Sequence, residues 1–157
     1  MLSTEADIEP VRLDQHLNSV INDARSEFDD AIITVENPIP NSIVSGNELL
    51  EGVFWNLVQN AVVHNDKETP QIQLSVTVAD ETLTVAVADN GPGIPDNQKE
   101  EIFGKGEKGL ESPGTGIGLY LVQTLVDQYG GDVWIEDNNP DGSVFVVELP
   151  IADAEQG

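Results

Sequence analysis

Asp89 and the residues after it form the strongest candidate for a binding site in this chain of 157 residues. The segment Asp89-Asn90-Gly91-Pro92-Gly93-Ile94 follows a stretch, 82–88, in which apolar or β-branched residues alternate with small ones, as in a strand. A carboxylate at the end of a strand has a rigid support. It can accept a hydrogen bond from an exocyclic amine such as that of adenine, whereas it repels a phosphate. Gly91 and Gly93 permit backbone conformations that a Cβ would forbid, so a ligand can approach the main chain. Taken alone, the segment is also typical of a tight turn.

Two asparagines, Asn56 and Asn60, lie four residues apart in a helical pattern that covers residues 47–65. Asparagine is a poor helix former, so both cost stability. One interpretation is that each side chain bonds to neighbouring backbone or to water. The other is that an amide oxygen, a hard neutral ligand, completes the shell of a Mg²⁺ ion that keeps several waters. The helix alone favours neither interpretation.

A glycine triplet, Gly114-Thr115-Gly116-Ile117-Gly118, precedes a third helical pattern. Free N–H groups and the positive end of the helix dipole at such a place favour an anion, so the triplet indicates phosphate binding. Its spacing differs from the dinucleotide pattern G-x-G-x-x-G, and no Walker P-loop occurs because the chain has no G-K-[ST].

One motif match is rejected. Asp137, Asn139, Asp141, Gly142 and Glu148 fit the spacing of an EF-hand calcium loop. That loop lies between helices, whereas strands are predicted on both sides here, and a proline at position 150 would block an exiting helix. The segment is better interpreted as a hairpin turn.

The remaining pattern predicts an α/β domain over residues 11–151, preceded by a linker, 1–10, and followed by a polar tail, 152–157. Apolar residues at helical spacing predict a first helix over 13–28 and a last helix that ends at Gly130-Gly131. The predicted strands are 32–36, 71–79, 82–88, 132–136 and 143–149. A short helix over 96–103 and a mobile, glycine-rich loop over 104–113 complete the predicted elements.

The charge balance excludes several classes of partner. There are 29 acidic and 6 basic residues, which give a net charge of −23, so binding of nucleic acid or of an anionic membrane through bulk electrostatics is disfavoured. Acidic residues spread along the whole chain suit a cytoplasm of high salt concentration. The chain has no cysteine and two histidines, which excludes thiolate metal sites. No apolar run of roughly 18 residues and no signal peptide occur, so we expect a cytoplasmic protein without direct membrane contact.

Four motifs occur in order: Asn56-Leu57-Val58-Gln59-Asn60-Ala61, then Asp89 to Ile94, then Ile102-Phe103, then Gly114 to Leu119. The set resembles the N, G1, F and G2 boxes of the ATP-binding catalytic domain of two-component histidine kinases, a family related to the DNA gyrase, heat-shock chaperone and mismatch-repair ATPases. The resemblance covers residues 11–150. The run from Gly114 into Tyr120-Leu121-Val122 is similar to the kinase branch in particular, and the acidic composition suggests a haloarchaeal version.

The resemblance implies a two-layer α/β sandwich with a mixed, mostly antiparallel sheet of about five strands, three helices and a flexible lid over residues 96–113. It implies that Asp89 bonds the adenine amine, that Asn60 holds Mg²⁺ and that Asn56 supports it. The lid lysines, Lys105 and Lys108, would reach the γ-phosphate. The other nucleotide contacts that it implies are His64, Gly91, Gly93, Ile94, Phe103, Gly114, Thr115, Gly116, Ile117, Gly118 and Leu119.

The chain departs from the family pattern at two places. Val63 stands three residues after Asn60, where many relatives carry a Lys or Arg that contacts phosphate. The phosphoacceptor histidine is typically followed by an acidic residue, but His16 precedes Leu17 and His64 precedes Asn65. The resemblance therefore implies a partner segment that carries the acceptor histidine in a dimerisation domain, and a response regulator downstream. Two alternatives stay open: a nucleotide-binding module without kinase activity, and a serine kinase or ATPase of the same superfamily.

Overall fold

The computed structural model describes residues 8–36, 38–99, 115–138 and 141–152, and it describes their side chains except those of 115–118. Within these residues the helices are α1 (Leu13–Glu27), α2 (Leu50–Val63) and α3 (Thr115–Gln128), with a short 3₁₀ turn at Asp96–Gln98. The strands are β1 (Glu9–Arg12), β2 (Ile32–Val35), β3 (Ile43–Gly46), β4 (Gln71–Ala79), β5 (Thr82–Asp89), β6 (Asp132–Asp137) and β7 (Ser143–Pro150).

Five strands form one mixed sheet in the order β2-β4-β5-β7-β6. β2 runs parallel to β4, and the other neighbours are antiparallel. The predicted mostly antiparallel sheet of about five strands on three helices is confirmed. β5 lies at the centre, where Asp89 pairs with Ile72 of β4 and Ala88 pairs with Val144 of β7. The register therefore brings the start of β7 next to the carboxyl end of β5.

The alternation of residue types in β5 explains why the sheet has one buried face. Leu83, Val85 and Val87 are fully buried, whereas the threonines and alanines between them are half-buried. An antiparallel sheet with helices on one side requires this pattern. The helices contribute the apolar stripes that their spacing predicts, namely Leu13, Leu17, Val20, Ile21 and Ala24 from α1 and Leu50, Val53, Phe54, Leu57, Val58 and Ala61 from α2.

The end of α3 is fixed to the start of α2. The buried Tyr129 hydroxyl donates to Asn47 Oδ1 over 2.7 Å, and burial raises the pKa of Tyr129 to about 12. Gly130 follows with a φ of 86°, a left-handed conformation that glycine adopts without strain. This hydrogen bond therefore joins the end of α3 to the residues just before α2.

Two parts of the structure differ from the prediction or extend it. β1 and β3 form an unpredicted antiparallel ribbon, and β1 includes residues 9 and 10, which were assigned to the linker. Each strand has only four residues, so the alternation of residue types is too short to predict a strand there. The two strands also pair across a long stretch of sequence. The short helix predicted over 96–103 begins at the predicted residue, and its described part is a 3₁₀ turn at Asp96–Gln98; residues 100–114 lie outside the described part of the chain.

Over the described residues, no helix has the length and apolar character needed to cross a membrane.

Candidate functional site

Asp89 is held rigidly at the end of β5. Its side chain is buried, and Oδ1 accepts hydrogen bonds from the N–H groups of Gly91 (2.9 Å) and Ser143 (3.1 Å). Among the described residues, no hydrogen bond involves Oδ2. Burial raises the pKa of Asp89, and the two N–H donors and the positive charge of Lys67 oppose this rise. The carboxylate therefore has one oxygen fixed by the protein and one oxygen available to a ligand.

The turn between β6 and β7 packs directly on the backbone of Asp89. Asn138 Nδ2 donates to the Asp89 carbonyl oxygen over 2.8 Å. Gly142 has a φ of 106°, and a Cβ on it would lie 2.0 Å from that same oxygen. No side chain can be accommodated at such a distance, so glycine is required at position 142.

The turn after Asp89 is fixed by the side chain of Asn90. Asn90 Oδ1 accepts hydrogen bonds from Asn65 Nδ2 (2.8 Å) and from the Gln71 N–H (2.9 Å). Gly93 has a φ of 84°, which confirms that this glycine is needed for its conformation. Gly91 does not have a left-handed φ, and its N–H donates to Asp89 Oδ1.

The two asparagines of α2 have different environments. Asn56 Nδ2 donates to the Gly52 carbonyl oxygen of its own helix over 2.8 Å. Asn60 is 3% exposed, and among the described residues neither its Oδ1 nor its Nδ2 has a hydrogen-bond partner. A buried amide without partners costs about 1–3 kcal/mol. Asn60 is therefore the buried asparagine with unused hydrogen-bonding groups, whereas Asn56 bonds to its own helix.

Asn60 and Asp89 border the same cavity of about 170 Å³. Its walls combine apolar surface with a few polar groups and are formed by Asn60, Ala61, His64, Asp89, Pro92, Gly93, Ile94, Ser143 and Phe145. His64 Nε2 is buried and has no partner among the residues that the structure describes, and desolvation lowers the pKa of His64, which favours the neutral imidazole. Such a cavity suits a flat heterocycle that presents an amine to Asp89.

This site fits Mg²⁺ only if the ion takes ligands from the nucleotide and from water as well as from the protein. Asn60 Oδ1 is the kind of oxygen that Mg²⁺ accepts. The described residues contain no group of three His, Asp or Glu side chains that could hold a metal by themselves. A Mg²⁺ ion bound at Asn60 would therefore take most of its ligands from water and from phosphate oxygens, as Mg²⁺ commonly does.

The structure brings five of the predicted site residues into one cavity: Asn60, His64, Asp89, Gly93 and Ile94. Gly91 supports Asp89 from outside the cavity wall, and Leu119 is buried in the core. Thr115, Gly116, Ile117 and Gly118 form the first turn of α3, and their side chains are not described. Phe103, Lys105, Lys108 and Gly114 lie outside the described residues.

Sequence reasoning missed four residues of the cavity, namely Ala61, Pro92, Ser143 and Phe145. Ala61 and Pro92 stand inside quoted motifs, so motif membership was a usable signal. Ser143 and Phe145 reach the cavity only because β7 pairs with β5, and the sequence does not state that register.

In the rejected calcium motif, Asp137 ends β6 and Glu148 lies in β7, so strands and not helices flank it, as predicted. Its carboxylates engage different lysines: Asp137 lies 2.8 Å from Lys99 Nζ, and Asp141 lies 3.8 Å from Lys67 Nζ. Lys99 also donates to the Ile94 carbonyl oxygen over 2.9 Å, which fixes the segment after Asp89 to β6. These carboxylates are structural.

Comparisons of the sequence and of the fold with known proteins both find ATP-binding domains of one family. Residues 46–153 match the family model described as histidine kinase-, DNA gyrase B- and HSP90-like ATPase. The sensor protein CitS of Halalkalibacterium halodurans is 34% identical over 113 residues, which cover 70% of this chain and 21% of CitS. The chain thus spans about a fifth of the length of this relative.

Two solved structures share the fold. The ATP-binding domain of PrrB from Mycobacterium tuberculosis superimposes with a TM-score of 0.78 at 26% identity, and the match covers 94% of this chain and 100% of that domain. Full-length ShkA in complex with AMPPNP superimposes with a TM-score of 0.77 at 25% identity, over 98% of this chain and 33% of ShkA. The chain belongs to the family of histidine kinase-, DNA gyrase B- and HSP90-like ATPases.

Proposed function

We propose that this chain is the Mg²⁺-ATP-binding catalytic domain of a sensor histidine kinase. The observation that carries the proposal is one cavity in which Asp89 offers a free carboxylate oxygen and Asn60 offers a buried amide without a partner. The solved relatives support ATP as the ligand, since PrrB is described as an ATP-binding domain and ShkA was solved with AMPPNP.

The adenine end of the site is proposed to work through Asp89. Its Oδ2 accepts the exocyclic amine of adenine, while the N–H groups of Gly91 and Ser143 hold Oδ1 in place. The base lies against the apolar wall of Ile94 and Phe145, and Gly93 permits close approach to the backbone. Because the acceptor is held before binding, little ordering is needed when the nucleotide enters.

The phosphate end is proposed to use Asn60 and the start of α3. When bound, Mg²⁺ would neutralise phosphate charge, and Asn60 Oδ1 would hold it. Gly114, Gly116 and Gly118 would offer N–H groups to the phosphates. Val63 is 46% exposed and has no charge, so we expect affinity for phosphate to depend on Lys105 and Lys108.

The γ-phosphoryl is proposed to pass to a histidine that lies outside this domain, and a response regulator is the proposed downstream partner. His16 Nδ1 lies 3.0 Å from Glu51 Oε1, on the far side of α2, and His64 borders the nucleotide cavity. Neither histidine has the sequence context of an acceptor. Positioning and charge stabilisation make up most of phosphoryl-transfer catalysis, and they are what this domain would supply.

Of the two alternatives, an ATPase is disfavoured by the position of Glu51. Its two carboxylate oxygens contact His16 and Ser19 of α1 (3.0 and 3.1 Å), so this acid does not serve as a base at the cavity. A nucleotide-binding module without kinase activity is favoured by one feature, the absence of a cation at Val63. Incubation with an acceptor-domain fragment and labelled ATP distinguishes a kinase from such a module, since the module binds ATP without transferring phosphate.

The test of the binding site is calorimetric titration with ATP, with and without Mg²⁺, in molar KCl. We expect saturable, Mg²⁺-dependent binding that Asp89→Asn weakens by roughly 10- to 100-fold. Asp132→Asn is the matched control, because Asp132 is an exposed residue of β6 outside the cavity and the change in charge is the same. A folded wild-type chain that does not bind ATP would contradict the proposal.

A further inference from the structure

A second cavity lies beside Asp89, on the face of the sheet that the helices leave uncovered. It measures about 460 Å³, and Asp89 borders both this cavity and the one that contains Asn60. Its walls include the outward-facing residues Thr34, Gln73 and Ala88 and one cation, Lys67. A charge in this cavity therefore acts on Asp89 from a different side from the proposed nucleotide.

The chain that leaves α2 holds Lys67 beside this cavity. The backbone N–H of Lys67 donates to Asn65 Oδ1 over 2.8 Å, and Asn65 Nδ2 donates to Asn90 Oδ1 over 2.8 Å. One side chain, Asn65, thus connects the backbone of Lys67 to the residue that follows Asp89.

The ammonium group of Lys67 lies between two acidic segments. Nζ is 3.4 Å from Asp66 Oδ1 and 3.8 Å from Asp141 Oδ2. Asp141 precedes Gly142, whose backbone packs on Asp89. In the part of the chain that the structure describes, the other basic side chains have partners elsewhere: Arg12 contacts Asp14, Arg25 contacts the Ile33 carbonyl, and Lys99 contacts Asp96, Asp137 and the Ile94 carbonyl.

We propose that Lys67 is a positioning residue for Asp89, which holds the β6–β7 turn over this carboxylate and offsets the negative charge around it from outside the nucleotide cavity. Burial raises the pKa of Asp89, and the charge of Lys67 acts in the opposite direction, which agrees with this role. The inference rests on the proposed function only for the identity of the base that Asp89 recognises.

The first test compares Lys67→Met with wild type in titrations with adenosine, AMP, ADP and ATP. All four ligands share the adenine, so an effect through Asp89 raises the Kd of each by the same factor. We expect roughly two- to fivefold, the effect of a partly exposed charge pair. A factor that grows from adenosine to ATP would mean that Lys67 only attracts phosphate, and it would overturn the proposal.

Two variants control this comparison. Lys67→Arg keeps the charge and should restore most of the affinity for all four ligands. Arg12→Met removes the same charge from an ion pair with Asp14 outside both cavities, and it should leave the four Kd values unchanged. An equal loss of affinity in Arg12→Met and Lys67→Met would assign the effect to net charge and overturn the proposal.

The second test does not need a nucleotide. In a double-mutant cycle of Lys67→Met and Asp89→Asn, we expect Lys67→Met to lower the urea midpoint more in the wild-type background than in the Asp89→Asn background. Additive shifts would overturn the proposal whether or not the chain binds ATP. Coupled shifts in a chain that binds no nucleotide would support the role of Lys67 and refute the proposed function.

Discussion

The two ends of α2 use buried polar side chains in opposite ways. At its start, Asn47 Oδ1 accepts hydrogen bonds from the Tyr129 hydroxyl (2.7 Å) and from the Leu49 N–H (2.9 Å), and only Nδ2 lacks a partner. Near its end, Asn60 Oδ1 and Nδ2 and His64 Nε2 have no hydrogen-bond partner in the part of the chain that the structure describes. The start of the helix is built for stability, and the end retains unused hydrogen-bonding capacity.

This difference indicates where the protein accepts a cost in stability. Buried polar groups are normally hydrogen-bonded, so an unsatisfied cluster in one cavity indicates a ligand that completes it. The cluster adjoins Gly142 and Ser143, which contact Asp89 closely. A rigid frame around unsatisfied groups is what a preorganised binding site requires.

The largest effect is expected for Gly142→Ala, which tests whether the frame is rigid. The new Cβ would lie 2.0 Å from the Asp89 carbonyl oxygen, and the φ of 106° is strained for any side chain. We expect a loss of about 3 kcal/mol or more in the free energy of unfolding, measured by urea denaturation.

Gly52→Ala is the matched control for that variant. Gly52 lies inside α2, and a Cβ there meets nothing within 4 Å. Since alanine is the better helix former, we expect a gain of about 0.5–1 kcal/mol. Equal effects of the two substitutions would show that the turn over Asp89 adapts, and the frame would not be rigid.

The next effect in size is expected for Asn47→Leu, which tests the structural end of α2. The substitution leaves the buried Tyr129 hydroxyl without its acceptor and removes the acceptor of the Leu49 N–H. We expect a loss of about 2–4 kcal/mol in the free energy of unfolding, the combined cost of one unsatisfied buried donor and one lost hydrogen bond from a side chain to the backbone. Tyr129→Phe removes the buried hydroxyl itself, so a loss as large as that of Asn47→Leu would contradict this account.

Much of the fold was predictable because its long elements follow simple periods. β4 and β5 alternate over nine and eight residues, and α1 carries an apolar stripe at helical spacing. β1 and β3 have only four residues each, and their pairing depends on contacts that are distant in sequence. Local pattern carries no signal for such pairing.

The site was predictable to the extent that single residues carried its chemistry. Asp89 and Asn60 were identified from residue type and motif order, and the structure places both in one cavity. The sequence did not decide the role of Asn56, because its bond to the Gly52 carbonyl depends on its rotamer. Ser143 and Gly142 were missed because only the register of β7 on β5 brings them to Asp89.

Asp89→Asn tests the cavity at the end of α2 through the pH dependence of the free energy of unfolding. Burial raises the pKa of Asp89 above its ordinary value of 3.8, so the folded state binds this proton more tightly than the unfolded state. The wild type therefore loses stability as the pH rises from 3.8 to the higher pKa that Asp89 has in the folded state. The Asp89→Asn variant does not titrate at this position, so it does not show this loss. We expect Asp89→Asn to be the more stable chain at pH 7 and the difference to disappear below pH 3.8 in urea titrations.

The affinity of Asp89→Asn for ATP should fall by roughly 10- to 100-fold, because an amide N–H₂ replaces the acceptor. A variant less stable than wild type at pH 7 would contradict the assignment.

The smallest effect on stability is expected for Asn60→Leu, the same substitution as at position 47 but at the other end of α2. Leucine has nearly the shape of asparagine, and here it removes two buried polar atoms that have no partner. Replacing unsatisfied polar groups by apolar ones of similar shape is close to neutral, so we expect a change within about 1 kcal/mol in the free energy of unfolding. Mg²⁺-dependent ATP binding should nevertheless be lost, as measured by calorimetry with and without Mg²⁺. If Asn60→Leu instead destabilised the protein as much as Asn47→Leu, both asparagines would be structural, and the contrast between the two ends of α2 would disappear. The two variants make the same chemical change at two buried positions, one just before α2 and one inside it. The difference between them therefore reports on the partners that each asparagine has.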